Sequence, residues 1–197
     1  MQQPSDYFYE LPEDLIAKHP LEDRAASRLL VVNRAQQKFT DHHFRDLPGF
    51  LRTGDCLVVN NTKVIPARLF GQRPGTTGKI EILLVRKLPT PNHWEALVRP
   101  GRKLSQGTVV EVGEQLVAEI VGVGEAGLRE VKLLMRNGGM RSGSDVEEEI
   151  ERIGHVPLPP YLQRPDSPAD RSRYQTVFAR HAGSAAAPTA GLHFTPE

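Results

Sequence analysis

Three stretches of this 197-residue chain gather residue types that do chemistry. In Gly183-Ser-Ala-Ala-Ala-Pro188-Thr189-Ala-Gly191-Leu-His193-Phe194, small side chains let the backbone approach a ligand closely. Thr189 and His193 add polar groups, and histidine is the usual acid or base near neutral pH. The other reading is a tight packing corner with an internally satisfied histidine. In Gly154-His155-Val-Pro157-Leu-Pro-Pro160-Tyr161-Leu-Gln-Arg164-Pro-Asp166, the prolines stiffen the backbone, so that Tyr161 and Arg164 can be held in fixed places. A rigid linker would read the same way. In Asn60-Asn61-Thr62-Lys63-Val64-Ile65-Pro66-Ala67-Arg68, polar groups follow an apolar run. Ligands gather at the carboxyl ends of strands in open α/β sheets, although a polar turn can also simply satisfy its own backbone.

Other patterns fail on context. Gly122-x-Gly124-x-x-Gly127 matches a dinucleotide fingerprint, but Leu128 to Met135 reads as a strand where a helix is needed, so the glycines read as a hairpin turn. Gly75-Thr-Thr-Gly78-Lys79 lacks the first glycine and the final hydroxyl of a phosphate loop. His42 and His43 face opposite ways on a strand and have no third ligand at matching spacing, so no metal is inferred. Cys56, the single cysteine, excludes a disulfide framework and reads as a packed core thiol. Asn60-Asn61-Thr62 fits the glycosylation pattern with no other sign of secretion.

These groups need a scaffold. Pro12 to Ile16 starts a short helix, Arg28 to Val32 reads as a buried strand, Phe44 to Leu51 as a short helical link, and Cys56 to Asn60 as a second buried strand. From about residue 64, short strands alternate with turns at 66–70, 79–87, 94–99, 108–112, 116–123 and 128–135, the spacing of a small barrel or sandwich. Helix returns at 145–153, with Ser144 and Glu147 spaced as a capping box and Gly154 as the stop. Thr195-Pro196-Glu197 is a helix-start signal, so the expectation is the front part of a longer protein.

A composition of 39% hydrophobic and 25% charged residues is globular and excludes wholesale disorder. The net charge of +1 makes any nucleic-acid contact a matter of local patches. Residues 63–103 carry nine Lys/Arg and two Glu (+7), residues 111–151 four Lys/Arg and ten Asp/Glu (−6), and residues 152–180 five Arg and two Asp (+3). A polyanion is drawn to the basic segments and repelled by the acidic one. No apolar run approaches the roughly 20 residues that span a bilayer, and the N-terminus is no secretory signal, so a cytoplasmic location is expected.

In this order, "NNTKVIPARL", "GHVPLPPY", "YQTVFA" and "APTAGLHF" closely resemble the S-adenosylmethionine:tRNA ribosyltransferase-isomerases of queuosine biosynthesis. The likeness also takes in His19 to Leu30, Phe44-Arg-Asp-Leu47 and Trp94 to Gly101, and runs from about Tyr7 to Glu197. It implies a three-layer α/β domain interrupted by an inserted small antiparallel β-barrel. Residues 1–63 would be the first part, 64–143 the insertion, and 144–197 the return to an α/β domain left incomplete. It also implies that S-adenosylmethionine is the ribosyl donor. The acceptor is 7-aminomethyl-7-deazaguanine at the tRNA wobble position, and the products are epoxyqueuosine-tRNA, adenine and methionine.

With the resemblance, His193 is expected as acid/base and Thr189 as a second catalytic residue, Thr189 and Gly191 form a ligand-cradling loop, and Pro188 is a substrate-binding residue. Asn60, Asn61, Arg68, Arg164 and Gln175 become substrate-binding groups, Tyr161 and Tyr174 stacking or hydrogen-bonding groups, and Arg99, Arg102 and Lys103 phosphate contacts. The expected partners are S-adenosylmethionine and the modified tRNA, with no membrane, and the expected state is a monomer. An inactive fragment that keeps only tRNA or ligand binding is the second reading. An unrelated nucleic-acid-binding barrel is a third.

Overall fold

The computed structural model describes residues 3–136 and 143–197. Its centre is a closed antiparallel barrel of six strands: β4 (Arg68–Gln72), β5 (Ile80–Lys87), β6 (His93–Arg99), β7 (Val109–Val112), β8 (Leu116–Val123) and β9 (Leu128–Met135), in the order β4-β5-β6-β9-β8-β7. Every second residue points inward, as strand geometry requires. Ile80, Ile82 and Leu84 of β5, Trp94, Ala96 and Val98 of β6, and Leu116, Ala118 and Ile120 of β8 are buried, and most of the hydrophobic core lies inside the barrel. Each of the six strands expected from residue 66 onward forms within two residues of its expected start, and the Gly124–Gly127 region is the β8–β9 hairpin turn. The barrel closes through a short seam in which Gly71 pairs with Val112 and Gln72 with Glu111.

Helix α1 (Gly143–Ile153) packs Val146 and Ile150 onto the barrel core. The expected capping box rests on the Ser144 side chain, which lies outside the described residues. Gly154 follows the last residue of the helix as expected. A Cβ there would meet the Pro66 carbonyl oxygen at 2.0 Å and that of Ile150 at 2.5 Å, so close approach to the start of β4 requires glycine. The chain enters and leaves the barrel side by side: Arg68 N donates to His155 O (3.1 Å) and His155 N to Arg68 O (2.9 Å).

Outside the barrel, β1 (Arg28–Asn33) and β2 (Lys38–His43) form an antiparallel hairpin, followed by a 3₁₀ segment at Phe44–Phe50. β3 (Thr62–Val64) pairs in parallel with β10 (His181–Ser184), and a short helix α2 (Pro168–Arg173) precedes β10. The fold is therefore mixed α/β with a closed barrel.

Two strand expectations need correction. β1 forms but is not buried, with Leu30 57% and Val32 61% exposed, because a two-stranded ribbon cannot cover both of its faces. Cys56–Asn60 is no strand: Val58 is 89% exposed and Cys56 is an exposed thiol. Apolar composition makes such a run eligible for burial, but burial needs a neighbouring strand, and none of the described residues pairs with it. Residues 194–197 carry no regular structure.

Candidate active site

Two clefts lie on either side of a wall made by Leu158, Pro159 and Tyr174. The first, of about 660 Å³, lies against the outer face of the barrel, where Arg68, Glu81, Leu83, Leu97, Arg99 and Arg102 meet Ala185 and Ala186. The second, of about 470 Å³, is bordered by Thr189, Leu192, His193, Tyr161, Arg164 and residues 17–21. Two of the three chemistry-bearing stretches thus line both clefts: 154–166 supplies the stiff wall, and 183–194 runs from one cleft to the other.

Thr189 and His193 sit at the two ends of a 3₁₀ segment (Thr189–His193) and share the rim of the second cleft. Aromatic packing fixes that segment. Phe194 stands edge-on to Phe44 (4.8 Å between centroids) and to Phe178 (5.2 Å), and the His193 ring lies 5.4 Å from Phe44. Behind the imidazole is a further hollow, of about 420 Å³, lined by Phe44, Leu47, Pro48 and Leu51. His193 therefore divides two hollows and has solvent-accessible space on each side.

Tyr174 borders both clefts. Burial raises the phenol above its ordinary range, and a hydrogen bond from the Ala187 backbone acts in the opposite direction. Tyr161 is 54% exposed at the second cleft, an accessible ring face. Arg68 spans the first cleft, with Nε 3.1 Å from Glu81 Oε1 and Nη2 donating to Leu158 O at 3.1 Å. Arg99 and Arg102 line this cleft, whereas Lys103, in the same turn, does not.

Several expected ligand contacts are occupied within the protein. Arg164 grips Asp170 with two 2.8 Å bonds and donates Nε to Lys18 O at 2.7 Å. Asp170 also accepts from Ser167 N and Oγ. The arginine holds the Asp170 carboxyl well below the usual carboxylate range, with the Ser167 bonds adding to the effect. The Gln175 amide pairs with the backbone of Val64, its Oε1 accepting from Val64 N at 3.0 Å, and so extends β3. A Cβ on Gly191 would lie 2.9 Å from Thr176 Cγ2, so this glycine serves packing within the chain. Pro188 precedes the Thr189–His193 turn and accepts Gly191 N at 2.8 Å. Asn60 Oδ1 accepts Thr62 N at 2.8 Å, a self-satisfying turn, and Asn61 O accepts from Arg180 N and His181 N. Neither asparagine lines a cleft.

Some residues with a role in the site were not singled out from sequence. Arg129 donates to Leu104 O, Gly101 O, Gly127 O and Leu128 O, tying together the two turns at the mouth of the first cleft. Lys18, Arg24 and Arg173 line the second cleft. Each looks like an ordinary surface cation in sequence, and only contacts across roughly 150 residues assemble them. His155 and Asp166 form a 2.8 Å pair beside the barrel entry. Among the described residues no group of three or more His, Cys, Asp or Glu is arranged to hold a metal. No helix among them is long and apolar enough to cross a membrane.

Residues 4–197 match the family model described as "Queuosine biosynthesis protein". An S-adenosylmethionine:tRNA ribosyltransferase-isomerase of Solibacter usitatus is 51% identical over 98% of this chain and 58% of its own length. One of Caldanaerobacter subterraneus is 46% identical over 98% of this chain and 54% of its own. The crystal structure of the S-adenosylmethionine tRNA ribosyltransferase of Thermotoga maritima is 37% identical, overlaps 79% of this chain and 51% of that one, and superposes with a TM-score of 0.37. The chain spans a little over half the length of the curated relatives it matches. It belongs to the queuosine biosynthesis protein family.

Proposed function

We propose that the protein transfers and isomerises the ribosyl moiety of S-adenosylmethionine onto 7-aminomethyl-7-deazaguanine at the tRNA wobble position, giving epoxyqueuosine-tRNA, adenine and methionine. The observation that carries this reading is 51% identity over 98% of the chain to a curated enzyme named for S-adenosylmethionine, tRNA and ribosyl transfer. The site chemistry is compatible with it. A sulfonium acidifies the neighbouring C5′ protons, and a base on the cleft rim removes one. Adenine leaves, the acceptor's primary amine attacks the activated carbon skeleton, and a hydroxylate displaces methionine to close the epoxide.

In this reading His193 is the acid/base and Thr189 orients the substrate beside it. Tyr161 offers a stacking face to a splayed base, and Tyr174 contacts substrate from the shared wall. Arg99 and Arg102, with Lys103 on the same turn, meet tRNA phosphates. Arg68 binds substrate from the wall of the first cleft. Arg164, Gln175, Pro188 and Gly191 act by holding the cleft walls, and Asn60 and Asn61 by shaping the approach to β3. We take 1–63, 64–143 and 144–197 as the three parts of the chain, and a cytoplasmic monomer as the working form.

The test is adenine release. The chain is mixed with S-adenosylmethionine and tRNA bearing the aminomethyl-deazaguanine, and free adenine is followed by chromatography. Release that depends on the modified tRNA supports the reading. A folded chain that binds tRNA and releases none supports a second reading, a binding piece without chemistry.

A further inference from the structure

We propose that Lys18, Arg24 and Arg173 form an anion subsite in the His193 cleft, built to take one carboxylate or phosphate group at the end of a larger ligand. The source of that anion rests on the function proposed above. The existence of the subsite does not.

The three cations reach the cleft from separate parts of the chain: Lys18 in the stretch after the Glu13–Leu15 turn, Arg24 in the Arg24–Ala26 turn, and Arg173 at the end of α2. Their partners are neutral. Arg24 Nη1 donates to Gln175 O at 2.7 Å and to Leu192 O at 3.1 Å, and Nη2 to Ser172 O at 3.1 Å. Arg173 donates to Leu21 O. Backbone carbonyls fix a guanidinium in place without cancelling its charge. Lys18 Nζ is shielded from solvent and has no hydrogen-bond partner.

The carboxylate lining this cleft, Asp170, is already held in a two-pronged pair by Arg164 and bonded by Ser167. Arg28, at the mouth, faces Asp41 at 3.3 Å. Nothing lining the cleft is left to neutralise Lys18, Arg24 and Arg173. Like charges gathered without a counter-charge repel one another, and an anion offsets that repulsion. Burial depresses the Arg24 pKa, and the like charge of Arg173 lowers it further.

Arginine forks match carboxylates and phosphates, and groups held in advance by the backbone lose little freedom when they bind. The cleft is far larger than a single oxyanion, at about 470 Å³, and Leu158, Leu162 and Leu192 give it apolar walls. The ligand therefore has an anionic end and a less polar body that extends toward Thr189 and His193. Two sources fit: the amino-acid carboxylate of S-adenosylmethionine, or a phosphate of the tRNA.

Arg24→Gln would cut three tertiary hydrogen bonds and confound folding with binding, so Lys18→Met and Arg173→Gln carry the test in the full chain. Calorimetric titration compares S-adenosylmethionine with its decarboxylated analogue. Thermal melting compares inorganic phosphate with chloride at equal ionic strength, and filter binding follows tRNA. A preference of tenfold or more for the carboxylated donor that collapses in Lys18→Met supports the subsite and names the carboxylate. Equal binding of the two donors, with phosphate stabilisation and tRNA affinity reduced fivefold or more in both variants, supports it and names the phosphate. Phosphate stabilisation that weakens in the variants, in a protein that binds no S-adenosylmethionine, supports the subsite while overturning the ribosyl-donor reading. Donor, phosphate and tRNA binding that is unchanged in both variants overturns the subsite and leaves the functional reading standing.

Discussion

His193 is held by its neighbours without using its ring nitrogens for any described hydrogen bond, an arrangement that suits proton transfer. General acid–base groups contribute about 100- to 10,000-fold to a rate. His193→Ala is therefore expected to cut adenine release by at least about 100-fold with unchanged thermal melting, and normal turnover would remove the imidazole from the mechanism. Asp170 makes a different kind of prediction. Its carboxyl ionises far more readily in the folded chain than in the unfolded one, where the value is about 3.9. The unfolded state thus takes up a proton first as acid is added. The stability from the Arg164 pair is complete above about pH 5 and drains away as the pH falls below about 4. Asp170→Asn is expected to lose about 3–5 kcal/mol at pH 7 by leaving Arg164 unpaired, and to flatten this acid dependence in denaturant titrations between pH 3 and 6. Neither behaviour of Asp170 is visible in the sequence, where it is one acid in a run of mixed charges. His193 and Thr189 were visible because unusually small residues surround them.

At the scale of elements, stiffness and close approach decide what each piece can do. The 157–160 wall serves both clefts because proline fixes its backbone without hydrogen bonds. Gly154 lets the end of α1 lie against the start of β4, and Gly154→Ala drives a methyl into two carbonyl oxygens. It is expected to cost about 1–3 kcal/mol in unfolding free energy, with the amides of Arg68 and His155 exchanging sooner. Arg129 is the corresponding device at the other cleft. Removing it leaves carbonyls in two turns without their donor, and Arg129→Ala is expected to weaken the barrel by about 1–3 kcal/mol in chemical denaturation. Arg129→Lys should not restore it, since an ammonium lacks the fork that reaches both turns. The barrel strands were legible because short apolar stretches recur between turn residues at the spacing of a small barrel, and register irregularities near Leu84 and Ile120 leave that spacing intact. The Cys56–Asn60 run was not, since its apolar residues state what a strand would need and say nothing about whether a neighbour is there to meet it.

The whole molecule is electrically divided, and its basic cleft faces the barrel strands of the +7 segment. Each phosphate contact made by Arg99, Arg102 or Lys103 adds about −0.9 to the slope of log affinity against log salt. A slope of about −2 to −3 is expected for tRNA, reduced by about one in each single alanine variant; a slope unaffected by all three would place the RNA elsewhere. Charge by segment foreshadowed this face, but no local pattern announced that Lys18, Arg24 and Arg173 converge, because convergence is a property of the tertiary path. One further consequence follows from the paired backbone bonds of Arg68 and His155, which join the chain where it enters and leaves the barrel. All six barrel strands find their partners between Arg68 and Met135, whereas β3 must wait for His181. As the chain emerges N-terminus first, every barrel strand has its partner before β10 exists to pair with β3, so β3 waits beside a barrel whose strands are already all present.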